Sequence, residues 1–138
     1  MKKPKLLFAA LLFSFFLFSC TRDATDMVSS TEKILVKNIW TVDYFFYNQD
    51  KTTEFKSSRL LFSSTGTVGY QKNGETIPGT WKRTLDASKN EVITLQFNTA
   101  NTEIGQLSQS WKLVTNSDNL LQFEESKGSD MFFSIKTQ

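Results

Sequence analysis

The chain has 138 residues with 16 basic and 14 acidic side chains, one cysteine and no histidine. That length suits one domain, and a lone cysteine excludes an intrachain disulfide. Without imidazole the chain lacks the commonest general base, the commonest metal ligand and the Ser–His and Cys–His nucleophile pairs.

The chain opens with Lys2, Lys3 and Lys5, followed by Leu6 to Phe18, apolar except for Ser14, and then Leu17-Phe18-Ser19-Cys20. The apolar stretch falls well short of the ~20 residues a spanning helix needs. A basic flank, a short apolar core and a small residue before the cut predict a signal peptide over residues 1–19. Leu17, Ser19 and Cys20 resemble the lipobox of bacterial lipoproteins. That resemblance implies a thioether-linked diacylglycerol on Cys20, with an N-acyl chain such as palmitate. Two or more chains anchor stably, because each buried methylene contributes ~0.8 kcal/mol. The implied location is the cell envelope, as a membrane-anchored lipoprotein of the outer membrane of a Gram-negative bacterium. Three of the sixteen basic residues leave with the leader, so thirteen remain against fourteen acidic ones. This balance offers no case for nucleic-acid binding.

Residues 20–29 are polar and small and predict a flexible tether. Residues 30–138 form the predicted domain. Ser29 and Glu32 have capping-box spacing, which predicts a short helix over Ser30 to Lys37 with Ile34 and Leu35 turned to the domain. From Ile39 the pattern changes to strands: Ile39 to Tyr47, Ser58 to Phe62, Thr67 to Lys72, Thr76 to Arg83, Glu91 to Asn98, Ser110 to Thr115, Asn119 to Glu125 and Met131 to Lys136. Asn73-Gly74 between the third and fourth runs is a strong hairpin signal, since both central residues must reach positive φ. Pro78 limits the start of the fourth strand to an edge or a bulge, with firm pairing from Gly79. Thr99 to Gln109 reads as a polar loop.

Eight short strands separated by Gly, Asn, Asp or Ser clusters, with no helical pattern between them, predict an all-β fold. The expected form is an antiparallel meander that closes into a barrel or folds into a sandwich. Closure also removes free strand edges. Strict alternation from Trp40 places Val42, Tyr44 and Phe46 inside, and Phe45 and Tyr47 outside.

Three tryptophans recur in similar strand settings: Asn38-Ile39-Trp40-Thr41-Val42, Gly79-Thr80-Trp81-Lys82 and Ser110-Trp111-Lys112-Leu113. Large rings at one level would plug one end of a small barrel, with Ile34 and Leu35 beneath. These residues resemble the lipocalin-like domains of small bacterial lipoproteins, where a short helical turn leads to a tryptophan-bearing strand and a Gly-x-Trp follows. The resemblance covers Thr31 to the C-terminus. It implies an eight-stranded antiparallel up-and-down barrel that binds a small apolar molecule or a protein partner. The candidate ligand-binding residues of the interior are Trp40, Tyr44, Phe62, Trp81, Phe97, Trp111, Phe123 and Phe133. An eight-stranded barrel either fills its interior with side chains or holds one small ligand, and aromatic density alone does not separate these.

Catalysis finds little support. Glu124 and Glu125 are adjacent and face opposite sides of a strand, so they form no acid–base pair. No phosphate-binding glycine loop is present, and neither a cofactor nor a metal is implied. Two functions follow. The first is a non-enzymatic, lipid-anchored envelope protein holding a small hydrophobic ligand. The second is an interaction or structural module, or an inhibitor, acting on an envelope protein partner through its outer surface, with Phe45 and Tyr47 as candidate contacts.

Overall fold

The computed structural model describes residues 29–138. The leader, Cys20 and the tether up to residue 28 lie outside the described residues. Helix α1 (Ser30–Lys37) begins in the expected capping box. The Ser29 side chain accepts from the Glu32 backbone N–H at 3.1 Å, and Glu32 accepts from the Ser29 N–H at 3.0 Å. Thr31 and Leu35, one turn apart, are its buried residues, and Ile34 packs partly against the core. An eight-residue helix is marginal in isolation, so this docked stripe keeps it folded.

Nine strands follow: β1 (Ile39–Tyr47), β2 (Gln49–Asp50), β3 (Arg59–Phe62), β4 (Thr67–Lys72), β5 (Glu75–Leu85), β6 (Glu91–Phe97), β7 (Ser110–Asn116), β8 (Leu120–Glu125) and β9 (Met131–Thr137). Strand β2 is a two-residue return on the end of β1. The other eight pair with their neighbours in order, all antiparallel, and β1 pairs with β9 to close the ring. The result is the all-β, eight-stranded antiparallel barrel with a short helix before it that the sequence predicts.

Local chemistry explains the turns and the strand ends. Asn73 and Gly74 have φ of 53° and 82°, the paired positive values a tight hairpin requires. Pro78 lies inside β5, opposite Gly69 of β4. The ladder between β5 and β6 starts only at Gly79, opposite Phe97. Residues 75–78 are therefore an edge on their β6 side, where a missing N–H is tolerated. At Gly79 itself a Cβ would come within 2.6 Å of the Gln96 carbonyl oxygen and of the Phe97 ring. The glycine of Gly79-Thr80-Trp81 is a close-approach position between two strands.

Strand β1 departs from strict alternation. Val42 pairs with Ile135, but Tyr44, not Asp43, pairs with Ser134, so the register shifts by one residue. Asp43 is the extra residue of a β-bulge, and the bulge reverses the facing of everything after it. Phe45 is consequently buried inside the barrel, and Tyr44 stands outside at 39% exposure. Both expectations for these two residues are overturned: Tyr44 does not line the interior, and Phe45 is not an outer contact. Phe46, also expected inside, is only partly buried and lies beside the exposed Phe132 ring. Tyr47 is partly exposed at the end of β1. A second register shift lies in β7 between Leu113 and Thr115, with Val114 as the extra residue.

The tryptophans do not share one level. The Trp40 indole N–H donates to the Leu35 carbonyl of α1 at 3.0 Å, and Trp111 to the Leu107 carbonyl of the 99–109 segment at 2.9 Å. Trp81 donates to the Ser63 carbonyl in the β3–β4 turn at 2.9 Å. Each ring carries its polar atom to a different covering segment, as buried indoles must.

Two covering segments are elements that strand periodicity does not show. A 3₁₀ turn (Thr52–Phe55) places Phe55 in the core. A short helix α2 (Thr102–Gly105), capped by the Asn101 side chain, places Ile104 and Leu107 there too. The polar 99–109 stretch is a lid with an apolar underside.

Candidate functional site

The barrel interior is the first place to look for a site. Most of its rings meet in one series, and Phe62 and Trp81 form a separate pair. Phe55 contacts Phe45 at a centroid separation of 4.7 Å, Phe45 lies 6.1 Å from Trp111, Trp111 lies 5.2 Å from Phe133, and Phe133 stacks on Phe123 at 5.6 Å. On the other side Phe55 meets Tyr70, and Tyr70 meets Phe97. Phe62 packs edge-on against Trp81 at 5.6 Å. Seven of the eight interior candidates, Trp40, Phe62, Trp81, Phe97, Trp111, Phe123 and Phe133, are thus brought together as one core. Their rings pack against one another and against the aliphatic core.

Polar clusters close the two ends. At the α1 end the Thr31 hydroxyl donates to Glu91 Oε2, Arg83 Nε donates to Glu91 Oε1 at 2.6 Å, and Asn116 Nδ2 donates to Thr31 Oγ1 at 2.8 Å. Burial alone would raise the Glu91 pKa. The hydrogen bonds from Thr31 and Arg83, with the Arg83 charge, outweigh it and hold the carboxyl below its ordinary range. This ties α1 to β5, β6 and β7.

At the opposite end Lys72 Nζ donates to Glu103 Oε1 at 2.9 Å and to the Glu54 carbonyl, while the Tyr70 hydroxyl donates to the same Glu103 oxygen at 3.2 Å. Burial first, and then the neighbouring Glu103 charge, pushes the Tyr70 phenol up to about 12. A phenol held that high stays protonated near neutrality. A polar cleft of about 190 Å³ opens beside it between β4, β5 and α2. The cluster latches the 3₁₀ turn and α2 over the barrel mouth. Glu124 and Glu125 face opposite sides, as expected. Glu125 is buried, with Oε2 accepting from the Ser129 hydroxyl at 2.9 Å. Among the described residues no group of three acidic, cysteine or histidine side chains can hold a metal ion.

The outer wall offers a different arrangement. Where β1, β9, β8 and β7 run side by side, the outward residues form rows. Phe46, Phe132, Glu124 and Lys112 lie across one row, and Tyr44, Ser134 and Gln122 across the next. Ser134 faces outward among larger neighbours, and they bury it. A groove of about 320 Å³ results, with Ser134 in its floor and Tyr44, Phe132, Val114, Asp43 and Glu124 around it. Both bulge residues, Asp43 and Val114, line it. Bulges re-aim side chains and concentrate at functional positions. Tyr44, Val114 and Phe132 are 39, 59 and 44% exposed, a cluster of large apolar surface of the kind that marks contact sites.

Of the sequence candidates Tyr44, Phe123 and Phe133 border this groove; Tyr44 does so as an exposed outer residue, whereas Phe123 and Phe133 belong to the buried core. Phe132, Val114 and Ser134 carry no motif. They belong to two segments, β7 and β9, and only the alternation of β9 hints that Phe132 points away from Phe133.

The fold and its helix-covered end define a lipocalin-like β-barrel. Among solved structures the chain is similar to a DUF4847 family protein from Bacteroides vulgatus, with a TM-score of 0.57 and 18% identity over 78% of this chain and 97% of that one. This likeness extends to the fold. No protein-family model and no curated protein matches the chain.

Proposed function

We propose that this protein is a non-enzymatic binding module, held at a bacterial envelope membrane by acyl chains on Cys20, that meets an envelope protein through its outer wall. The observation that carries this reading is the outer groove, which two β-bulges and a buried outward serine build on the wall of β1, β7, β8 and β9. The buried, mutually packed interior rings support the outer wall over an interior apolar ligand, because small barrels of this kind can fill their interior with side chains. The lipobox-like Leu17-Phe18-Ser19-Cys20 supports the anchor.

Affinity capture from solubilised envelopes tests the contact surface. A Tyr44→Ser/Phe132→Ser variant should lose partners that the wild-type protein retains, and identical partner lists would refute the reading. Cell fractionation tests the anchor: Cys20→Ala should move the protein out of the membrane fraction, and an unchanged distribution would remove the lipid from the account.

A further inference from the structure

Given the outer-wall reading above, the geometry points to an arginine side chain of the protein partner as the occupant of the groove over Ser134. Charge is the first reason. The lining contains two carboxylates, Asp43 and Glu124, and no cationic residue. Each carboxylate meets a lysine beside the groove through one oxygen: Asp43 Oδ1 accepts from Lys136 Nζ at 2.6 Å, and Glu124 Oε1 from Lys112. These pairs are partly exposed, so each contributes little and a better cation can share or replace it.

The second reason is shape. Tyr44 and Phe132 present exposed aromatic surface beside those acids. A guanidinium is planar, stacks on such rings and donates a two-pronged fork to a carboxylate, whereas a lysine ammonium is a compact, strongly hydrated point charge. The floor offers the Ser134 hydroxyl as a further acceptor, and Gln122 lines the groove beside it. The volume, about 320 Å³, lies at the low end of ligand pockets. It suits one long side chain and not a folded segment, in keeping with the single arginine anchors common at interface centres.

The test is titration of the ¹⁵N-labelled, processed full-length protein in detergent with N-acetyl-arginine amide, N-acetyl-citrulline amide and N-acetyl-lysine amide. The arginine derivative should shift the Tyr44, Phe132 and Ser134 amide resonances. Its Kd should be roughly tenfold or more below that of citrulline, its near-isosteric uncharged analogue, as one charge-assisted fork warrants. The preference should fall as salt rises. It should vanish in Asp43→Asn/Glu124→Gln and in Ser134→Leu, which fills the floor by a separate route. Equal affinity for arginine and citrulline, equal affinity for lysine, or a preference surviving in either variant overturns the assignment. Should arginine show no preference while Tyr44→Ser/Phe132→Ser still strips the captured partners, the outer wall stands and the arginine does not. Should the captured partners also be unchanged, both fall.

Discussion

Ser134 lies directly opposite Tyr44 across the β1–β9 seam, on the outside of the barrel, yet it is only 4% exposed. An outward residue becomes buried only when its neighbours overtop it. Here Tyr44 does so because the extra residue Asp43 turns it outward. Barrel closure and groove formation thus meet at one seam, where the first and last strands of the domain pair.

The phase reversal makes adjacent aromatics differ sharply in energetic weight. Phe45→Ala should cost about 3–5 kcal/mol of stability, the range for deleting a buried phenyl ring. Tyr44→Ala should cost clearly less, about 1 kcal/mol, as for a partly exposed outer site. Urea denaturation of the two variants measures the difference. Equal costs, or the reverse order, would place the bulge elsewhere.

Gly79→Ala should destabilise the barrel by about 1–3 kcal/mol, the usual cost of overpacking. The added methyl would meet the Gln96 carbonyl oxygen and the Phe97 ring at 2.6 Å, one of them rigid backbone. Gly69→Ala is the control, because its Cβ would meet only the Thr76 methyl at 3.5 Å. Thermal melts of both variants should separate them clearly, with Gly69→Ala the milder.

The α1 latch should be acid-sensitive. The folded state holds Glu91 below its ordinary value of 4.5, so folding favours the ionised carboxylate. Its stabilisation is complete above the unfolded value and is lost as pH falls through the lower folded value. The thermal midpoint should therefore drop as pH falls below about 4.5, and it should drop less steeply in Glu91→Gln. Parallel curves for the two proteins would show that the Glu91 cluster contributes nothing to this dependence.

The lid over the opposite end should open locally when its latch is cut. The Lys72–Glu103 pair is partly exposed, so Glu103→Gln should change global stability by no more than about 1 kcal/mol. Hydrogen exchange at residues 102–108 should quicken while exchange in β5 and β6 stays as it was. Uniform quickening across the barrel would mean that the lid is not a separate unit.

What the sequence determined by itself is whatever depends on near neighbours in the chain. The capping box at Ser29, the Asn73-Gly74 hairpin and the run of short alternating strands each declare themselves within a few residues, and together they specify eight antiparallel strands, while the β1–β9 pairing makes them a barrel and not a sandwich. The tryptophans and most of the core phenylalanines are legible for the same reason: period-two alternation sorts faces until something interrupts it. The tertiary structure decided where it is interrupted. A bulge is a property of two paired strands, and β1 finds its partner β9 some ninety residues away, so nothing near Asp43 announces it. The apolar underside of the 99–109 lid likewise becomes visible only against a barrel mouth that needs closing. The groove is the extreme case: it takes its residues from β1, β7, β8 and β9, and no one of them is unusual until closure places them together around Ser134.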